Sequence, residues 1–324
     1  MRTRIVAIAC AISVMHVIVS GAHAQITTER QFTDFVSYYY RNPQPAQAPA
    51  ALQFFLTSHL FNNSVRLHTR LTEVTAFFFG RVAMLHPEVL REYERLYLDA
   101  SKQGKLFLAD IFAIASDSDN QIFMQKEAVH QEYAVVRDKV KAILAQQPLG
   151  RQKLDQGISD YRDIDFLWTE FFVTGDPGLI LYLIALLEKE DVVRTKLTQW
   201  MARSSHTHDE FAKLQAACKR ALNINLKDAN LGVGAAQDLD CLLGGYLRFA
   251  KSMHKQSGDS LVIKDMLGLT DADIKHAVLK QTALWSLASY AKLHEQVFAL
   301  CKKAYDECLA ENKFELALIS RVRQ

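Results

Sequence analysis

The densest gathering of metal-ligand side chains in this chain is Ser205-His206-Thr207-His208-Asp209-Glu210. His206, His208 and Asp209 offer two imidazoles and a carboxylate, donor types that hold zinc or copper. Spacing works against them on regular structure, because histidines two apart face opposite sides of a strand and diverge on a helix. Such a pair chelates best from a loop. The same run also reads as a helix start, with Thr207 and Glu210 at the positions of a capping box, and that reading explains most of its residues without an ion.

His86 and His294 form a second pair of interest. Sliding the sequence by 208 places lays 283–305 over 75–97, and Ala83, Leu85, His86, Val89 and Tyr97 then match Ala291, Leu293, His294, Val297 and Tyr305. If the two stretches are equivalent, both imidazoles could line one surface. The simpler expectation is that each satisfies backbone groups left open at a helix end.

Other chemistry is excluded or unsupported. Asp117, Asp119 and Gln121 imitate the opening of a calcium loop, but Ile122 and Ala128 stand where a glycine and a bidentate glutamate are needed. Gly232-Val233-Gly234-Ala235-Ala236-Gln237 falls short of the dinucleotide fingerprint and follows no strand pattern. No serine or cysteine occupies a nucleophile motif, so no catalytic residue and no cofactor are assigned. Trp168, Trp200 and Trp285 have apolar neighbours at helical spacing and are expected in the core.

The elements that must position these residues read as helices throughout. Phe77, Phe78 and Phe79 project over roughly 200° of one helix surface, so that helix needs neighbours on more than one side. Pro87 suits the first turn of the next helix. Thr28 with Gln31, and Thr270 with Asp273, predict capping boxes. A helix from about residue 49 is expected to end at Asn62-Asn63-Ser64, and Gly104 to close the hairpin over 65–102. One long helix is expected over 121–146, with Val129, Tyr133, Val136, Val140, Ile143 and Leu144 on its apolar face. The apolar run 179–187 is too short for a membrane span and reads as a buried helix.

Turns recurring at roughly 40 residues suit a helix-pair repeat. The expected fold is therefore all-α, built of antiparallel helix pairs in an α-solenoid or tetratricopeptide-like stack of irregular period. Residues 148–157 are the most polar connection and divide an N-terminal region, 25–147, from a C-terminal region, 158–324.

Residues 1–24 carry Arg2 and Arg4, an apolar run and Ala22-His23-Ala24, the pattern of a secretory signal peptide cleaved before Gln25. The alternative is a retained N-terminal anchor. Cleavage leaves no transmembrane segment and places the protein in the periplasm or outside the cell. It also removes Arg2 and Arg4, leaving 36 basic residues against 36 acidic ones, without the basic stripe of a nucleic-acid binder. Four cysteines then remain, Cys218, Cys241, Cys301 and Cys308. An even number in an exported chain invites disulfides. Cys301 and Cys308 lie about 10 Å apart along one helix, which excludes their pairing. Cys218–Cys301 with Cys241–Cys308 and Cys218–Cys308 with Cys241–Cys301 stay open, as do four buried thiols.

Two stretches, Asp165-Phe166-Leu167-Trp168-Thr169-Glu170-Phe171-Phe172-Val173-Thr174-Gly175-Asp176 and Ala283-Leu284-Trp285-Ser286-Leu287 with His294 and Val297, resemble uncharacterised exported bacterial proteins of all-helical, tetratricopeptide-like type. The resemblance covers about a quarter of the mature chain and implies a helical fold, with no activity or substrate. The tetratricopeptide signature itself is not met. Taken together, the sequence points to an exported helical-repeat scaffold that binds a protein, peptide or envelope component without catalysis. An enzyme or metal-binding protein with a site at His206 and His208, and a secreted factor acting on host or competitor cells, are the alternatives.

Overall fold

Capping residues start the helices where the sequence places them. At Thr28, the amide of Gln31 donates to the threonine Oγ1 (3.2 Å) and the amide of Thr28 donates to Gln31 Oε1 (3.1 Å), opening helix α1 (Glu29–Tyr38). Thr270 and Asp273 repeat the arrangement at the start of helix α11 (Asp271–Ala291), where Lys196 Nζ also donates to Asp273 (2.7 Å).

The computed structural model describes residues 26–67, 69–115, 118–145, 158–188 and 264–310, with residues 192, 195, 196, 199, 200, 209, 213 and 216 between the last two spans. Every regular element among them is helical. In chain order these are α1, two 3-10 turns (Tyr39–Arg41 and Pro45–Gln47), α2 (Ala48–Thr57), α3 (His59–Leu67), α4 (Leu71–Leu85), a 3-10 turn (Pro87–Val89), α5 (Leu90–Asp99), α6 (Lys102–Ala115), α7 (Ser118–His130), α8 (Ala134–Ala145), α9 (Asp163–Thr174), α10 (Pro177–Glu188), α11 and α12 (Glu295–Ala310).

Helix α4 is the hub, for the reason its three phenylalanines suggest. Phe77 meets Phe166 of α9 with ring centres 5.2 Å apart, Phe78 faces Phe35 and Tyr39, and Phe79 touches Phe32 and Tyr93. Each is buried. At Gly80 an added Cβ would lie 2.6 Å from Ile114, so the glycine lets α6 approach closely.

Helix α4 packs on α6, α6 on α8, α7 on α8, and α10 on both α11 and α12. Helix α9 also reaches far back to α4, α1 and the turn Tyr39–Arg41. One continuous apolar core draws on residues from both sides of 148–157. That segment, like the signal stretch 1–24, lies outside the described residues. Helix α10 buries Ile180, Leu183, Ile184, Leu186 and Leu187. Among the described residues, no helix is long and apolar enough to cross a membrane.

Three boundaries differ from the sequence reading. The break expected at Asn62-Asn63-Ser64 falls at Ser58, where extended backbone ends α2 and the Ser58 Oγ accepts from the Phe61 amide (3.4 Å). Asn62 then bonds back to Ser58 O inside α3. Gly104 lies in the first turn of α6, because the chain has already broken at Ala100, where the backbone turns extended after α5. The single helix over 121–146 is two, interrupted at buried Gln131, whose Nε2 donates to Tyr97 Oη (3.0 Å) and whose carbonyl accepts from Arg137 (2.7 Å). The interruption turns Val129 outward to 70% exposure, while Val136 and Val140 stay fully buried.

The two matched hairpins agree at several positions. Ala83 and Ala291 are sealed, Val89 and Val297 are buried, and Leu85 and Leu293 are exposed, the first ending its helix and the second in the turn after its own. They part at the chemistry-bearing positions. Trp285, expected in the core, is 60% exposed where its counterpart Phe77 is buried. Trp168 and Trp200 are buried.

Candidate functional site

His294 ends the turn between α11 and α12, its amide bonding Tyr290 O (2.8 Å) and its carbonyl accepting from the Phe298 amide (3.0 Å). These backbone bonds lock the residue at a helix start, and the neighbouring aromatics seal its side chain to 0% exposure. Phe172 of α9 stacks on the imidazole at 5.3 Å and 29°, Tyr38 lies 4.9 Å away, and Tyr290 and Tyr40 stand at 5.7 and 5.8 Å. Three remote segments, the end of α1, the end of α9 and the α11–α12 turn, thus converge on one ring.

Local sequence explains how they fit. Gly175 ends α9 in the left-handed region (φ 68°), which a side chain adopts at a cost of roughly 1–2 kcal/mol. A Cβ there would also sit 3.2 Å from Tyr40 Cδ2, so the glycine clears space for that ring. Gln296 Nε2 donates to Gly175 O (3.3 Å), fastening α12 to the cap of α9. Tyr40 Oη accepts from Arg41 Nε (3.1 Å) and lies 3.1 Å from His294 Nδ1. The assignment that gives the Tyr40 hydrogen an acceptor puts the imidazole hydrogen on Nε2. That atom is buried without a partner, as is Trp168 Nε1. Trp168 belongs to the same cluster, 4.3 Å from Tyr290 and 6.0 Å from Phe172.

Burial lowers the His294 pKa to about 4, with the Arg41 charge adding to the effect. The imidazole is therefore neutral at neutral pH, and a sealed neutral ring cannot exchange protons with a solvent-borne substrate. Its physical work is to clasp the N-terminal segment to the C-terminal hairpin. One turn away, Glu170 of α9 receives Arg81 of α4 in a two-pronged pair, Nε to Oε2 at 2.6 Å and Nη2 to Oε1 at 2.5 Å. Both residues are under a tenth exposed, and the pair spends each group on the other. Tyr39 and Tyr93 carry buried hydroxyls without partners. Burial, with a smaller push from Glu88, raises Tyr39 to about 12, and burial, with a smaller push from Tyr39, raises Tyr93 well above the ordinary tyrosine value.

The residues singled out from sequence fare differently. His206 and His208 lie outside the described residues, and Asp209 is an exposed helical position. No group of three or more potential metal ligands occurs among the described residues. Cys218 and Cys241 lie outside as well. Cys301 is a free, buried thiol whose pKa burial pushes up to about 12, and Cys308 falls on the same helix. The two histidines do not share a surface: His86 is half-buried with Nδ1 3.4 Å from Glu88, while His294 is sealed. Nor does the His294 side chain serve backbone groups, since Tyr40 takes its Nδ1.

Sequence reasoning missed the partners of His294. Tyr38-Tyr39-Tyr40-Arg41 and Phe171-Phe172 are visible as aromatic runs, but their meeting across 254 residues leaves no local mark. No known protein family, curated protein or solved structure matches the chain.

Proposed function

We propose that the protein is an exported helical scaffold that binds a protein, peptide or cell-envelope component along the outer face of stacked helix pairs, without transforming it. The carrying observation is Trp285, 60% exposed on α11, with exposed Leu181 and Tyr182 on the adjoining helix α10. Tryptophan and tyrosine are the side chains that most often anchor interfaces, because they bury large area at low entropy cost. Side-by-side packing of α4, α6 and α8 supports a repeat-like stack, which offers extended surfaces without strictly placed reactive groups. The signal-peptide pattern supports export.

The test is capture from a native envelope fraction by the purified full chain and by Trp285→Ala. A partner recovered by the wild type and lost with the variant supports the reading. Recovery of nothing above background, or equal recovery by both proteins, rejects it.

A further inference from the structure

Away from the histidine clasp, a pocket of about 290 Å³ opens between α1 and the two 3-10 turns that follow it. Its wall holds four carboxamides, Gln31, Asn42, Gln44 and Gln47, with one carboxylate, Asp34, and the rings of Phe35 and Tyr38. Gln31 Oε1 accepts from the amides of Thr27 and Thr28, leaving its Nε2 hydrogens to face another acceptor. The carboxamides of Asn42, Gln44 and Gln47 are committed to no described residue. Asp34 is loosely engaged by Arg30 at 3.9 Å.

This set of groups selects a ligand chemistry. A carboxamide both donates and accepts, as does every hydroxyl, so a ring of amides matches neighbouring hydroxyl groups in either sense. No lining side chain is cationic, the neighbouring Arg41 being engaged by the Tyr38 and Tyr40 rings and the Tyr40 hydroxyl, and a cation would find one carboxylate already shared with Arg30. Phe35 and Tyr38 add apolar surface to the same wall, the Tyr38 ring lying beneath the Arg41 guanidinium (4.9 Å), and apolar wall of this kind suits the C–H groups of a sugar ring. An extended peptide would need donors and acceptors in a row at strand spacing. These amides instead share the wall of one cavity with apolar residues.

We propose that this pocket binds a neutral sugar residue of a glycan. The inference rests on the reading of the chain as a binding protein and names the class of component it takes. Titration of the isotope-labelled full chain with maltotriose, cellotriose and chitotriose, followed by NMR, tests it. Saturable shifts of pocket side-chain amides are expected with at least one of them. Asn42→Ala and Gln47→Ala alter side chains at the pocket rim, and each should weaken binding at least tenfold with the melting temperature retained. Three results overturn the proposal: no saturable shift with any trisaccharide, undiminished affinity in both variants, or equal binding of the neutral peptide Gly-Asn-Gly. If Trp285-dependent capture persists alongside such a result, the glycan inference fails alone. If both are absent, the binding-protein reading fails with it.

Discussion

Lowering the pH should loosen the clasp at His294 by a definable amount. In the folded protein this imidazole has its pKa lowered from 6.5 to about 4. An unfolded chain takes up the proton near the ordinary histidine value, so between those limits the unfolded state binds more protons than the folded one. The stabilisation from a neutral His294 is therefore complete above pH 6.5 and is lost progressively as pH falls toward 4. At about 1.4 kcal/mol per pKa unit, the loss attributable to this residue is about 3 kcal/mol. Other groups titrate in the same window, so the informative quantity is a difference of differences. Urea unfolding of wild type and His294→Phe at pH 7 and pH 4 supplies it, with the variant expected to lose about 3 kcal/mol less across the interval. Phenylalanine keeps the ring packing and removes the titration. Parallel stability profiles for the two proteins, or an imidazole resonance titrating near 6.5, would refute the reasoning.

Breaking the Arg81–Glu170 pair from one side, as in Glu170→Gln, should cost about 3–5 kcal/mol because it strands a buried guanidinium, whereas Arg81→Met with Glu170→Leu should cost much less; denaturant midpoints of the three proteins decide it. Gly80→Ala forces a methyl against Ile114 and should destabilise by about 1–3 kcal/mol despite alanine's better helix propensity, read from thermal melts. Trp168→Ala should cost about 3–5 kcal/mol and Trp285→Ala at most about 0.5 kcal/mol, since one ring fills the core and the other faces solvent; equal losses would contradict the assigned environments.

The fold class was legible because its signals are local. Capping boxes at Thr28 and Thr270 depend on residues three apart, and the phenylalanine triplet announces a helix covered on several sides before any neighbour is known. Boundaries were less legible where a tertiary contact chose between competing breaks. Gln131, at the end of α7, divides its amide between the local Glu127 (2.8 Å) and the remote Tyr97 (3.0 Å), and nothing within a helical window of Gln131 reports that tyrosine. The site was least legible of all. His294 could be marked as unusual from its place in the hairpin match, but its chemistry is set by Tyr38, Tyr40 and Phe172, which sequence distance hides. The expectation for Trp285 failed for a related reason: apolar spacing shows which residues could be covered, while the supply of neighbouring helices decides which are.

The bond from Tyr40 to His294 joins residues 254 apart, and the rings around it come from three distant stretches. A growing or partly threaded chain that ends before residue 290 therefore has no lock for its first helix, however well its early hairpins form. The lock closes only once the α11–α12 turn is present, so products truncated ahead of residue 294 should remain protease-sensitive near Tyr38, and resistance there should be gained in one step when that turn docks.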